Sequence, residues 1–182
     1  MPQANSESEF LIPLSRETLA VLPHVSLVRE HLSAQAYRYF VAFTDGSCTQ
    51  DNPNSPHGFG GWAAVICSPK GEKWEISGRL HHTTSNRAEL CSLLATLSCV
   101  PGGVHLGVQS DSRYVVERVR AGCRPKDERD NPDLWLEVRE MLTAKNITLT
   151  SSWVPGHLGV ANNERADALA SAGRAVSYRR RR

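Results

Sequence analysis

The sequence predicts an α/β domain, a five-stranded mixed sheet flanked by helices in the order βββ-α-β-α-α-β-α. Three observations predict it. Strand-like segments, aromatic and β-branched, then apolar, then alternating, fill the chain from Tyr37 to Leu80, and apolar residues recur at helical spacing from Asn86 onward. Two close turns precede that switch, which makes the first three strands an antiparallel meander. The later strands are separated by helical segments, the usual connection between parallel neighbours.

The first strand is Tyr37-Arg38-Tyr39-Phe40-Val41-Ala42-Phe43, aromatic and β-branched, and Asp45-Gly46-Ser47 is expected to end it. Residues 49–58 form a polar loop with Pro53, Pro56 and Gly58. Gly60 to Cys67 is the second strand, and Ser68-Pro69-Lys70-Gly71 turns the chain. Glu72 to Leu80 alternates, with Trp74 and Ile76 on one side. Leu90, Leu93, Leu94 and Leu97 then mark a helix from Asn86 that Pro101-Gly102-Gly103 stops. Val104 to Gln109 is a short buried strand, followed by a helix from Arg113 to about Arg120. Gly122 to Asp130 is a polar connection of mixed charge. Asn131-Pro132-Asp133 opens a helix carrying Leu134, Trp135, Val138, Met141 and Leu142. Ile147 to Val154 is the last strand, and Asn162 to about Gly173 the closing helix.

The 182 residues suit one domain with a short extra segment. Residues 1–36 read as an extension, its start polar and its 15–35 stretch a possible amphipathic helix broken at Pro23. Residues 37–175 form the folded domain, and 176–182 a basic tail ending in four arginines. The formal charge of +2 is too small to identify a nucleic-acid binder, although the terminal arginines can attract phosphate. Five cysteines without CxxC spacing exclude a zinc ribbon and a disulfide scaffold. Cys67 and Cys91 lie in apolar runs and read as core thiols. No apolar stretch approaches the roughly 20 residues of a membrane span, and acidic residues at the start argue against a targeting leader. A reducing compartment is expected: cytoplasmic, or nuclear or mitochondrial in a eukaryote.

Four acids stand where chemistry is done. Asp45 and Asp111 each follow an apolar strand, Glu89 lies early in one helix and Asp167 in the last. Sites of open α/β sheets gather at the carboxyl ends of strands. A set of oxygen ligands without Cys or His spacing suits a hard ion such as Mg²⁺. Two such ions can stabilise the attacking and leaving oxygens of a phosphodiester. Taken singly, each acid has an ordinary reading. Asp45 fits a turn, Asp111-Ser112 a helix cap, and Glu89 and Asp167 a solvated helix face.

Their surroundings change this. Phe43-Thr44-Asp45-Gly46-Ser47-Cys48 is the first segment, and Thr83-Thr84-Ser85-Asn86-Arg87-Ala88-Glu89-Leu90 the second. Gln109-Ser110-Asp111-Ser112-Arg113-Tyr114-Val115, Trp153-Val154-Pro155-Gly156-His157 and the run from Asn162-Asn163-Glu164-Arg165-Ala166-Asp167 to Ala170 follow in order. Together they resemble type 1 ribonuclease H, from about Tyr37 to Gly173, and the element order agrees with the ribonuclease H-like fold. The resemblance implies an endonuclease that hydrolyses the RNA strand of RNA–DNA hybrids with two Mg²⁺ ions, Mn²⁺ being a substitute. Products would carry 5′-phosphate and 3′-hydroxyl ends. It makes Asp45, Glu89, Asp111 and Asp167 the metal-binding carboxylates. His157 would assist proton transfer or product departure. Asn86 would contact the hybrid through the minor groove near the cleavage site, and Thr84 and Asn131 would hold a DNA-strand phosphate. Ser85 stands where asparagine is common, which alters one RNA contact, and Arg113 where glutamine is often found. The 122–130 connection is shorter than the basic handle of many bacterial members, and the 49–58 loop looks longer than usual.

A monomer acting on a hybrid, without a membrane, is the expected assembly. Two other readings remain open. One is a ribonuclease H domain of a retroelement reverse transcriptase, with residues 10–36 docking on a polymerase. The other is a non-catalytic hybrid-binding module, against which the four intact acids argue. A related transposase or integrase fits Asn86-Arg87-Ala88-Glu89 and the His157 segment poorly.

Overall fold

The computed structural model describes residues 39–49 and 58–179. The possible helix at 15–35 lies outside them, as does most of the 49–58 loop. Five strands form one sheet: β1 (Tyr39–Cys48), β2 (Gly58–Cys67), β3 (Lys73–Thr83), β4 (His105–Ser110) and β5 (Thr148–Trp153). The helices are α1 (Ser85–Cys99), α2 (Arg113–Arg120), α3 (Pro132–Lys145) and α4 (Ala161–Arg179). The element order is the expected one. In space the strands run β3-β2-β1-β4-β5, with β1 at the centre. The β1–β2 and β2–β3 pairs are antiparallel, and β1–β4 and β4–β5 are parallel.

Side chains alternate across β1 and divide the core in two. Phe40 and Ala42 belong to the larger core, with Trp62, Ile76 and Trp135. Phe43 packs on the other face with Val65 and with Ala166 of α4. The predicted leucines of α1, Leu90, Leu93, Leu94 and Leu97, are fully buried. Each contributes about 1.5–3 kcal/mol relative to an exposed position. Burial extends over most of the circumference of α1, because the helix lies between the sheet and α3. The α1 carboxyl end is held from a distance: Lys145 Nζ donates to the carbonyls of Leu97, Ser98 and Val100 at 2.7, 2.9 and 2.6 Å. A cation among terminal helix carbonyls offsets their missing donors.

The structure corrects three expectations. First, β1 does not end at Asp45-Gly46-Ser47. Its ladder with β2 continues through Asp45↔Ala63 and Gly46↔Trp62 to Cys48↔Gly60. Gly46 is needed there for space, because a Cβ would lie 2.2 Å from the Glu89 nitrogen of α1. Second, α4 runs past Gly173 to Arg179 and so takes in the first residues of the expected tail. Gly173 does not stop the helix; it lets the helix pass close over the Gly78 carbonyl of β3. Third, Cys67 is only half-buried, whereas Cys91 is a core thiol as expected. Cys67 ends β2 beneath Asn162, whose amide points at its sulfur from 3.8 Å.

Candidate active site

The site forms where the later part of β1, the end of β4 and the first turns of α1 meet. Phe43 of β1 pairs with Gln109 of β4. Asp45 and Asp111 each lie two residues beyond that pair, one still in its strand and the other just past its own. The tight approach of α1 over Gly46 brings Glu89 to the same edge. Carboxylate oxygens of Asp45, Glu89 and Asp111 all lie within 4.8 Å of one another. Asp167 projects from α4, on the sheet face where Phe43 meets Ala166. It falls outside this tight group but remains close enough to act electrostatically on Asp45.

Local structure frees these acids from ordinary roles. Ser112, not Asp111, caps α2, its hydroxyl accepting from the Val115 N–H at 3.4 Å. Asp111 is held by its backbone instead. Its carbonyl accepts from Trp153 Nε1 at 3.1 Å, and the neighbouring Ser110 carbonyl accepts from the Val154 N–H at 3.1 Å. The next turn of chain passes so close that a Cβ on Gly156 would stand 2.6 Å from Asp111 Oδ2.

Burial and like charge act together on the cluster. Burial first, then Asp111 and Asp167, push the Asp45 carboxyl from 3.8 up to about 7, although His157 and Arg174 oppose this. Burial also drives the Glu89 carboxyl well above its ordinary value, with Asp45 and Asp111 adding to the effect and a Gly46 hydrogen bond opposing it. Among the described residues, buried Glu89 Oε2 has no hydrogen-bond partner. A buried acceptor in that state costs free energy unless a cation or proton satisfies it. The donor set is entirely oxygen and suits a hard divalent cation.

His157 sits on the loop between β5 and α4 with a mostly exposed ring, its Nδ1 3.6 Å from Asp167 Oδ2. The expected substrate residues gather at the start of α1 and α3. Thr84 caps α1, accepting from the Arg87 N–H at 3.3 Å. Ser85 and Asn86 occupy its first turn. Asn131 precedes α3 in a left-handed conformation, φ 51°. Its side chain does not cap that helix. It accepts from Arg87 at 3.4 Å and donates to the Tyr114 hydroxyl at 2.9 Å.

Sequence reasoning missed the residues that hold these groups. Arg87 spans the two helix starts with a bidentate pair to Asp133 at 3.1 and 2.7 Å. Arg174 reaches the Cys48 carbonyl and faces Asp45. Glu164 grips the His157 loop. Arg87 and Glu164 lie inside the quoted motifs, but their partners are set by the fold, so spacing gave no signal for them.

Comparison with known proteins gives a consistent result. The RNase H family model matches residues 38–175. Ribonuclease H of Francisella philomiragia subsp. philomiragia is 36% identical over 141 residues, 72% of this chain and 88% of that protein. RNase H1 of the halophilic archaeon Halobacterium salinarum superimposes with a TM-score of 0.58 at 25% identity, over 74% of this chain and 96% of that one. LC11-RNase H1, solved in complex with an RNA/DNA hybrid, shares the fold with a TM-score of 0.62 at 21% identity, over 76% and 99% of the two chains.

Proposed function

Because this chain belongs to the RNase H family, we propose that it hydrolyses the RNA strand of RNA–DNA hybrids and leaves 5′-phosphate and 3′-hydroxyl ends. The observation that carries this reading is the trio of buried Asp45, buried Glu89 and half-buried Asp111, oxygens within 4.8 Å, in a chain that the family model matches. The orphaned Glu89 Oε2 and the raised Asp45 and Glu89 carboxyls fit a divalent cation held at this edge.

Asp45, Glu89, Asp111 and Asp167 are the proposed ligands, and Mg²⁺ the proposed ion, with Mn²⁺ as a substitute. A pair of such ions, when bound, supplies Lewis-acid stabilisation to the attacking and leaving oxygens of phosphodiester cleavage. The protein's own part is geometric and electrostatic. Asp45 and Glu89 present carboxylates from a dry wall, where charge is weakly screened. His157, with Nδ1 turned toward Asp167, has Nε2 on its outer side to carry a proton to or from the departing strand. Thr84 and Asn131 orient a DNA-strand phosphate at the α1 start. The Asn131 amide has a second N–H for this, beyond the one given to Tyr114. Asn86 addresses the minor groove and the 2′-hydroxyl, with Ser85 altering one RNA contact. The chain acts as a monomer in this reading. Among the described residues no helix is long and apolar enough to cross a membrane.

The clustered acids favour catalysis over a non-catalytic hybrid-binding module. Binding phosphate alone gains nothing from four carboxylates near the strand ends. The test offers labelled hybrid, single-stranded RNA and double-stranded RNA to the folded chain with Mg²⁺ or Mn²⁺. Cleavage confined to the RNA strand of the hybrid is expected. An intact hybrid under both metals refutes the proposal.

A further inference from the structure

We propose that Glu164 is a positioning residue that holds the His157 loop in its working conformation. This rests on the hybrid-cleaving reading above. The loop runs from Pro155 to Val160 between β5 and α4. Two of its residues are in the left-handed region, His157 at φ 54° and Gly159 at φ 84°. A histidine there is strained and keeps that shape only if its surroundings hold it. Among the described residues, Glu164 does so by hydrogen bond: the Gly159 N–H donates to Glu164 Oε1 at 2.9 Å.

Glu164 lies in the first turn of α4, three residues before Asp167. Residues at that spacing share a helix face. The same face therefore grips the loop two residues after His157 and offers Asp167 to its Nδ1 at 3.6 Å. The first turn of α4 is itself anchored on β3. Arg165 makes a bidentate pair with Glu75 at 2.8 and 2.7 Å, and Lys73 donates to Asn162 at 3.1 Å. Glu164 thus ties a loop to the rigid element that carries Asp167. Without its carbonyl-like oxygen at that distance, the loop keeps its covalent ends but loses the contact that selects one shape.

A carboxylate at a helix start also interacts favourably with the helix dipole, so the test separates that role from loop holding. Hybrid cleavage is measured as kcat and KM, with Tm, for wild type, E164A, E164D, E164Q, H157A and E164A/H157A. E164D keeps the charge at the helix end but is one methylene too short. E164Q keeps an oxygen acceptor at full length and loses the charge. Loss of one such contact should lower kcat about tenfold in E164A and E164D while KM changes less than about twofold. E164Q should recover most of that loss. E164A/H157A should be no slower than H157A, because the two residues act through one group. Wild-type kcat in E164A and E164D, recovery in E164D but not E164Q, or multiplicative losses in the double variant would each overturn the inference. A folded wild-type chain that leaves the hybrid intact overturns the functional reading beneath it. Active wild type with kcat unmoved in E164A overturns this inference alone.

Discussion

Replacing Asp45 by asparagine should destroy cleavage, and it should stabilise the metal-free fold by an amount that grows as pH rises from about 4 to about 8. In the native chain burial and the facing acids raise the Asp45 carboxyl from 3.8 to about 7. Between those values the native state holds a proton that the unfolded state has released. Stability therefore falls as pH rises through this window, and the loss is complete above about pH 8. At about 1.4 kcal/mol per pH unit, the gap is a penalty of about 4 kcal/mol at most. Glu89 and Asp111 share the strain and relax around a neutral amide, so a gain of about 2–4 kcal/mol is expected for Asp45→Asn at pH 8. At pH 4 the native carboxyl keeps its proton and the unfolded one is only partly ionised, so the gain should shrink to a small remainder. Urea denaturation in the presence of a chelator, at pH 4 and pH 8, measures the difference, and hybrid cleavage with Mg²⁺ is assayed in parallel. Added Mg²⁺ should raise the Tm of wild type at pH 8 and do so much less for the variant. The reasoning is refuted if Asp45→Asn shifts stability equally at both pH values, or if it still cuts the hybrid.

Three further outcomes follow from particular contacts. Arg113 stacks over the exposed Trp153 ring, 5.3 Å from its centroid, beside Asp111; if its charge meets a phosphate, Arg113→Gln should raise KM and flatten its log–log dependence on salt by about 0.7–0.9, read from KM at several salt concentrations. Lys145→Met removes the donor to three carbonyls at the end of α1 and should cost about 1.5–3 kcal/mol, measured by urea titration, with kcat little changed. Gly46→Ala drives a Cβ to 2.2 Å from the Glu89 nitrogen; displacing α1 should cost about 1–3 kcal/mol or more and lower kcat about 100-fold, read from Tm and single-turnover cleavage.

The elements were legible in the sequence because their signals are local. The leucine stripe of α1, the alternation around Trp74 and Ile76, and Asn131-Pro132-Asp133 each act within one or two turns of chain. Where a boundary failed, a distant partner had overridden the local signal. Asp45-Gly46-Ser47 reads as a turn, yet β2 pairs through it and α1 needs its glycine for room. Gly173 reads as a helix stop, yet it serves close packing against β3. Cys67 sits in an apolar run, yet that run ends at a partly open seam with α4.

The sequence by itself singled out the four acids as candidates and determined the order of the elements around them and the family the motifs resemble. Residue type and spacing along the chain are sufficient for that. Only the tertiary structure decided that Asp45, Glu89 and Asp111 meet within 4.8 Å while Asp167 stands further off beside His157. It also decided that Arg87 joins Asp133 across 46 positions and that Glu164 holds Gly159. Those distances depend on strand register and on how closely α1 and α4 approach the sheet. Register and approach are set by packing between segments far apart in the chain, which no local period encodes.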